Sequence, residues 1–173
     1  MNNSLKYSAR FILFLLVQFI ILNEIPPIHQ FVTPYLYFTF ILWLPFGTSR
    51  INTTLLGFAI GYCLDIFTNT LGLHAAAASL IGYLRPTILN ILLAKEMSEE
   101  LTKEPSIGTM GWGPFTFYVF TLTLIHHFYL VLLEWLQFGN FGYFIGKVFF
   151  TSLMSILLIL LAELLLNRRK LKR

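Results

Sequence analysis

The charged residues of this chain sit almost entirely in short breaks between long apolar runs. Residues 25–49 carry no formal charge, and the runs 115–136 and 145–166 hold only Glu134, Lys147 and Glu163. A helix needs about 20 mostly apolar residues, within a range of about 17–25, to cross a hydrocarbon core. Several runs here approach that length. Composition points the same way: 57% of the 173 residues are hydrophobic and 12% charged, against roughly 45–50% and 25% in soluble domains. A soluble domain this small has too much surface to hide such a fraction, and disordered chains are poor in apolar residues. Cys63 is the only cysteine, so no intrachain disulfide can form. Eighteen Phe, eight Tyr and three Trp fit a chain solvated by lipid, with aromatic belts at its interfaces. The chain is expected to be an integral membrane protein.

Six spans are expected, forming one all-α polytopic membrane domain over 1–173. The first, 11–25, follows Lys6 and Arg10. Its charged start resembles a signal peptide, but it ends Asn23-Glu24-Ile25-Pro26-Pro27 with no small-x-small cleavage site, so it reads as a retained helix. A short second span, 35–46, follows Pro34 and is closed by Pro45 and Gly47. The third, 51–67, and the fourth, 73–93, are joined by Thr68-Asn69-Thr70-Leu71-Gly72, polar turn chemistry with a closing Gly. The linker 94–113 is the one hydrophilic stretch, with Glu96, Glu99, Glu100 and Glu104, and is too short to fold alone. The fifth span, 115–136, and the sixth, 145–166, flank Gln137-Phe138-Gly139-Asn140-Phe141-Gly142. That segment is too Gly-rich for a helix and too aromatic for a solvated loop, so it is expected at the lipid–water interface.

Six spans put both ends on one side, and the charges choose which. With the N-terminus inside, the inner segments hold eleven of the twelve Lys and Arg residues, and Lys147 alone lies outside. Cytoplasmic loops are enriched in Lys and Arg. Both termini are therefore expected in the cytoplasm, with 26–34, 68–72 and 137–146 outside. The net charge of +4 does not point to nucleic acid, because the charges lie in gaps and not along a groove or helix face. The tail Arg168-Arg169-Lys170-Leu171-Lys172-Arg173 reads as a topology anchor with affinity for anionic lipid.

Polar groups inside a membrane are costly and are functional candidates by default. Gly57, Gly61 and Asp65 fall within an arc of about 80° on a helix. Gly57-x-x-x-Gly61 lets two backbones approach closely, and Asp65 is the only Asp in the chain. On the fourth span His74 and Arg85 lie about 20° apart, with Ala78 and Gly82 on the same stripe. Asp65 and His74 flank the 68–72 turn at similar depth and are expected to hydrogen-bond. They can be a structural pair that fixes the hairpin, or a proton relay or ligand site. The structural reading is favoured, because a relay needs several titratable groups along a path and nothing continues from His74 toward Arg85.

Other candidates carry less. His127 shares a face with Glu134, but His126 and His127 have no third ligand at helical spacing, so no metal is expected. Glu134 and Lys147 flank the outer segment and can pair there. Glu163, one turn before Asn167 and Arg168, reads as a snorkelling helix end. There is no Walker loop, G-x-S-x-G, H-E-x-x-H or G-x-G-x-x-G. An enzyme is not expected, and no cofactor.

The stretch Leu56-Gly57-Phe58-Ala59-Ile60-Gly61-Tyr62-Cys63-Leu64-Asp65-Ile66-Phe67, then Leu71-Gly72-Leu73-His74-Ala75 and Ile81-Gly82-Tyr83-Leu84-Arg85-Pro86, resembles the rod shape-determining protein MreD family. The resemblance covers 56–86, about a sixth of the chain. It implies a bacterial cytoplasmic-membrane protein without catalytic activity. Such a protein works with the bitopic protein MreC in the elongation machinery, or elongasome, that directs lateral peptidoglycan synthesis. An actin-like filament protein and a penicillin-binding synthase pair act alongside. Gly57, Gly61, Asp65, Gly72, His74, Ala78, Gly82 and Arg85 are the candidate positions for structural or partner packing. The family's fold is similar to the substrate-binding subunits of energy-coupling-factor vitamin transporters, which supplies the alternative function. Those subunits use small residues on the first span to contact their energising module, and 11–25 has neither Ala nor Gly. A small-molecule ligand is therefore not expected.

Overall fold

The computed structural model describes residues 3–24, 32–70, 72–93, 101–138 and 141–167, and among these every regular element is helical. Helix α1 (Asn3–Leu16) continues as a π-helix (Val17–Leu22). Helix α2 is a single turn (Thr39–Leu42), followed by α3 (Arg50–Thr68) and α4 (Leu73–Leu92). A second short helix, α5 (Ile107–Met110), leads into α6 (Trp112–Phe138) and α7 (Phe141–Asn167). Among the described residues five stretches are long and apolar enough to cross a membrane: Leu5–Leu22, Arg50–Thr68, Leu73–Leu92, Trp112–Leu136 and Phe141–Leu165. Residues 26–31 of the expected outer turn 26–34, the acids Glu96, Glu99 and Glu100, and the basic tail 168–173 lie outside the described residues.

The expected second span is not a sixth such helix. Between 35 and 46 only Thr39–Leu42 is helical, yet Tyr37, Phe38, Ile41 and Leu42 are fully buried. Length gives the reason. Twelve residues of α-helix reach about 18 Å, well short of a core about 30 Å thick. Extended chain covers roughly twice the distance per residue. Pro34 and Pro45, which have no N–H to donate, bound a stretch that unwinds and is enclosed by the helices. Its start is held by Gln18 of the π-helix and Ser155 of α7. Its far end reaches the 101–106 loop, where Phe46 N–H donates to the Lys103 carbonyl at 2.9 Å.

The hairpin of α3 and α4 is built on contact between backbones. A Cβ added at Gly61 would stand 2.6 Å from the Ala75 Cα, and one at Gly82 2.8 Å from the Thr53 carbonyl carbon. At Gly57 it would meet the Ala78 carbonyl group. The stripes of Gly57 and Gly61 and of Ala78 and Gly82 therefore face each other, which is the structural one of the two roles, structural or partner packing, left open for them. Pro86 lies inside α4 and cannot donate to the Gly82 carbonyl as a helical residue would. The Thr53 hydroxyl of α3 donates there instead, at 2.7 Å. The turn uses left-handed backbone at Asn69 (φ 56°) and Gly72 (φ 86°).

Two further expectations change. The segment 137–142 is not a break of six residues, since α6 runs through Phe138 and α7 begins at Phe141. Aromatic packing supports the start of α7: Phe141 lies 6.4 Å from Trp135 and 6.1 Å from Phe144. Helix α1 starts at Asn3, eight residues before the expected span, so Lys6 and Arg10 are helical.

Candidate functional site

Asp65, in the last turn of α3, reaches across the hairpin to the start of α4. The N-cap of α4 is Gly72, which has no side chain to offer. Asp65 supplies the cap from the other helix. Its Oδ1 accepts the His74 N–H at 3.0 Å and its Oδ2 the Ala75 N–H at 2.9 Å. These are the second and third helical positions, whose donors have no intrahelical partner, and a carboxylate is favoured at the positive end of the helix dipole. Oδ1 also accepts the Thr70 hydroxyl at 2.6 Å and the His74 Nδ1–H at 2.9 Å. The expected Asp65–His74 bond is present, within a four-donor cap.

Four further buried polar side chains, Gln18, Arg85, Tyr118 and Ser155, converge on the unwound segment. Non-helical backbone at membrane depth is tolerated only where protein satisfies it. Gln18, fully buried, uses both ends of its amide. Its Oε1 accepts the N–H of Leu36 at 2.7 Å and of Tyr37 at 3.3 Å, and its Nε2 donates to the Pro34 carbonyl at 3.2 Å. Ser155 accepts the Tyr35 N–H at 3.1 Å. At the opposite end Arg85, also fully buried, donates through Nη2 to the carbonyls of Leu44 and Pro45 and through Nε to the Tyr118 hydroxyl. Tyr118 in turn donates to the Leu42 carbonyl at 2.9 Å. The Leu42 and Leu44 carbonyls lie at and just after the C-terminal end of α2, where oxygen atoms lack intrahelical partners and favour a cation.

Three histidines line the middle of the same segment. The Tyr37 hydroxyl and His126 Nε2 are 2.7 Å apart, and Phe38 stacks on His126 at 4.3 Å. His127 Nδ1–H donates to the Thr123 carbonyl at 2.8 Å, and its Nε2 lies 3.3 Å from the Ser155 hydroxyl. The rings of Tyr35 and Tyr37 lie 5.4 and 5.5 Å from His74. Imidazoles do therefore continue from His74 into the core, which the spacing along single helices did not show. Among the described residues no three His, Cys, Asp or Glu side chains group as a metal site. Glu134 pairs with Lys147. Glu163 is not a snorkelling end: it is 2% exposed and its carboxylate accepts the Ile107 N–H at 3.0 Å.

At the end of the bundle where α1 starts, Glu104 ties the 101–106 loop to α1, 2.6 Å from Lys6 Nζ and 2.9 Å from Arg10 Nη1. Burial alone would raise its carboxyl, but the hydrogen bonds and charges of Lys6 and Arg10 outweigh that and hold it below the usual carboxylate range. Of the residues the sequence singled out, the structure brings together Asp65 and His74 with Gly61 and Gly72 at one end of the hairpin, and Gly82 and Arg85 toward the other. It adds Gln18, Tyr37, Tyr118 and Ser155. Only Gln18 left a signal, as a lone amide in the middle of an apolar run. Comparison of the chain with models of protein families, with curated proteins and with solved structures finds no match.

Proposed function

We propose that the chain is a non-catalytic component of a bacterial cell-elongation machinery. In this reading it lies in the cytoplasmic membrane with both termini inside, and binds a single-span, MreC-like partner that keeps peptidoglycan synthesis on the lateral wall. The observation that carries the reading is the 56–86 hairpin. The residues that resemble the MreD family are those at which α3 and α4 meet: Gly57 on Ala78, Gly61 on Ala75, and Asp65 on the first turn of α4. A hairpin closed in this way is a rigid surface, which suits an adaptor. Apolar burial cannot drive helix association in lipid, so shape and a few polar contacts must supply it.

With the small-residue stripes occupied, the partner is assigned to the groove between α1 and α3. Helix α1 is the least enclosed, with 11% of its apolar window buried against 33% to 44% in the other four long helices. The groove beside it measures about 620 Å³ and is lined by Phe11, Ile12, Phe40, Leu55 and Leu56, with Ser8 and Asn52 as hydrogen-bonding groups. Depletion in a rod-shaped host should give rounding and lysis, and purification in mild detergent should co-elute a bitopic protein with a periplasmic domain. Normal rods that require an exogenous vitamin, or co-elution of a pair of ATPases, would overturn the reading in favour of a transporter subunit.

A further inference from the structure

We infer that the bundle end where α1 starts holds the phosphate of an anionic phospholipid. A cavity of about 360 Å³ lies there, walled by the first turns of α1, the 101–106 loop, Trp43 and α7. That volume is within the range of about 300–1,000 Å³ usual for small-ligand sites. Three cations, Lys6, Arg10 and Lys103, line it against two carboxylates, Glu104 and Glu163. The lining is therefore one positive charge in surplus.

That surplus is within reach of a ligand. Lys6 and Arg10 share the single carboxylate of Glu104, and their side chains remain 36% and 29% exposed. Arg10 meets Glu104 through Nη1 alone. A guanidinium has five N–H donors in a planar fork, and among the described residues those on Nε and Nη2 have no other partner. They are suited to a second oxyanion, and arginine is well matched to phosphate. Glu163 is almost fully buried and accepts the Ile107 N–H, so it offers little surface to an entering anion.

The independent observation is where these cations sit. Lys6 and Arg10 occupy the first turns of the apolar stretch Leu5–Leu22, at the level where a crossing helix meets the headgroups. At 100° per residue Lys6, Arg10 and Leu13 fall within an arc of about 60°, and Leu13 is exposed. The face that is basic in its first turns is thus apolar and uncovered in the next. A phospholipid has the matching shape, phosphate above and acyl chain below, and basic pockets between spans bind anionic headgroups. A zwitterionic lipid also brings a phosphate, but its own ammonium cancels the attraction. The groove assigned to a partner uses Tyr7, Ser8, Phe11 and Ile12, on the other flank of α1, so both can be filled at once.

This site is separate from the tail 168–173, where the sequence placed affinity for anionic lipid, and it does not rest on the adaptor reading. The test titrates the full chain in neutral detergent with dioleoyl phosphatidylglycerol and counts bound lipid by native mass spectrometry. The first phosphatidylglycerol should bind at least tenfold tighter than phosphatidylcholine. Arg10→Gln should weaken that first step at least fivefold, and Arg10→Lys less. Arg10→Gln also loses a contact to Glu104, so a cooperative unfolding transition is required of it. Should it not fold, Lys103→Gln decides, because Lys103 is exposed and its loss should weaken the same step. Replacing the five basic residues of 168–173 by Gln should leave the first step unchanged. Glycerol 3-phosphate, which brings the phosphate without chains, should compete at least tenfold more weakly than the lipid. Equal affinity for phosphatidylcholine, wild-type affinity in a folded Arg10→Gln or in Lys103→Gln, or loss of the first step with the tail would each overturn the proposal. Equal competition by glycerol 3-phosphate would overturn the lipid and assign a free phosphate.

Discussion

Asp65 serves four donors at once, so its replacements should separate by how many acceptors they keep. Asp65→Asn retains one carbonyl oxygen for the first turn of α4, whereas Asp65→Leu leaves the backbone N–H groups of His74 and Ala75 without partners and the imidazole Nδ1 with only the Thr70 hydroxyl. At about 1–3 kcal/mol for each unsatisfied buried group, Leu should cost several kcal/mol and Asn clearly less, measured by thermal unfolding in detergent. Glu104 allows a pH test. Its folded-state pKa is depressed, so its contribution is complete above the unfolded value of about 4.3 and is lost as pH falls through the lower folded value. The drop in thermal midpoint caused by Glu104→Gln should therefore be full at pH 7 and vanish in strong acid. The Asp65–His74 pair was legible because both residues flank one short turn. The cap was not, since nothing in the sequence says that Gly72 would occupy the N-cap and leave the task to another helix.

At the scale of elements, the glycines of the hairpin do two different jobs. Gly61→Ala would push a methyl group to 2.6 Å from the Ala75 Cα, and backbone cannot step aside as a flexible side chain could. Overpacking of this kind costs about 1–3 kcal/mol. Gly72→Ala meets nothing within 4 Å but sits at φ 86°, a conformation costing other residues about 1–2 kcal/mol. Gly113→Ala meets neither obstacle and should be neutral or slightly stabilising, so the three together separate crowding from backbone strain in one unfolding series. Gln18→Leu should cost about 2 kcal/mol or more, because it strips the acceptor from Leu36 and Tyr37 N–H. The unwound segment shows where periodicity misleads: 35–46 has the hydrophobicity of a helix, but its length and its bounding prolines already argued for a longer path per residue. Its partners come from α1, α4, α6 and α7, and contacts over such separations leave no local pattern.

At the scale of the molecule, the disposition of the five long helices and the buried segment can be tested without reference to function. In a Cys63→Ser background, a cysteine at Asn69 in the hairpin turn should react with an impermeant thiol reagent applied from outside. One at Thr102, in the loop that meets the start of α1, should react only after the membrane is opened. Both positions are exposed, so the difference reads sidedness and not burial. The unwound segment also sets a schedule for biogenesis. The Tyr35 N–H is satisfied by Ser155, a residue synthesised 120 positions later, and the carbonyls of Leu44 and Leu42 wait for Arg85 and Tyr118. While the ribosome is still making α3, residues 32–46 have too few apolar helical turns to enter lipid alone and no neighbours to enclose them. The segment must stay in the insertion machinery or at the membrane surface until the last helix arrives. A chain released before α7 is complete carries a polar backbone that nothing covers, and that is a feature a membrane protease can recognise.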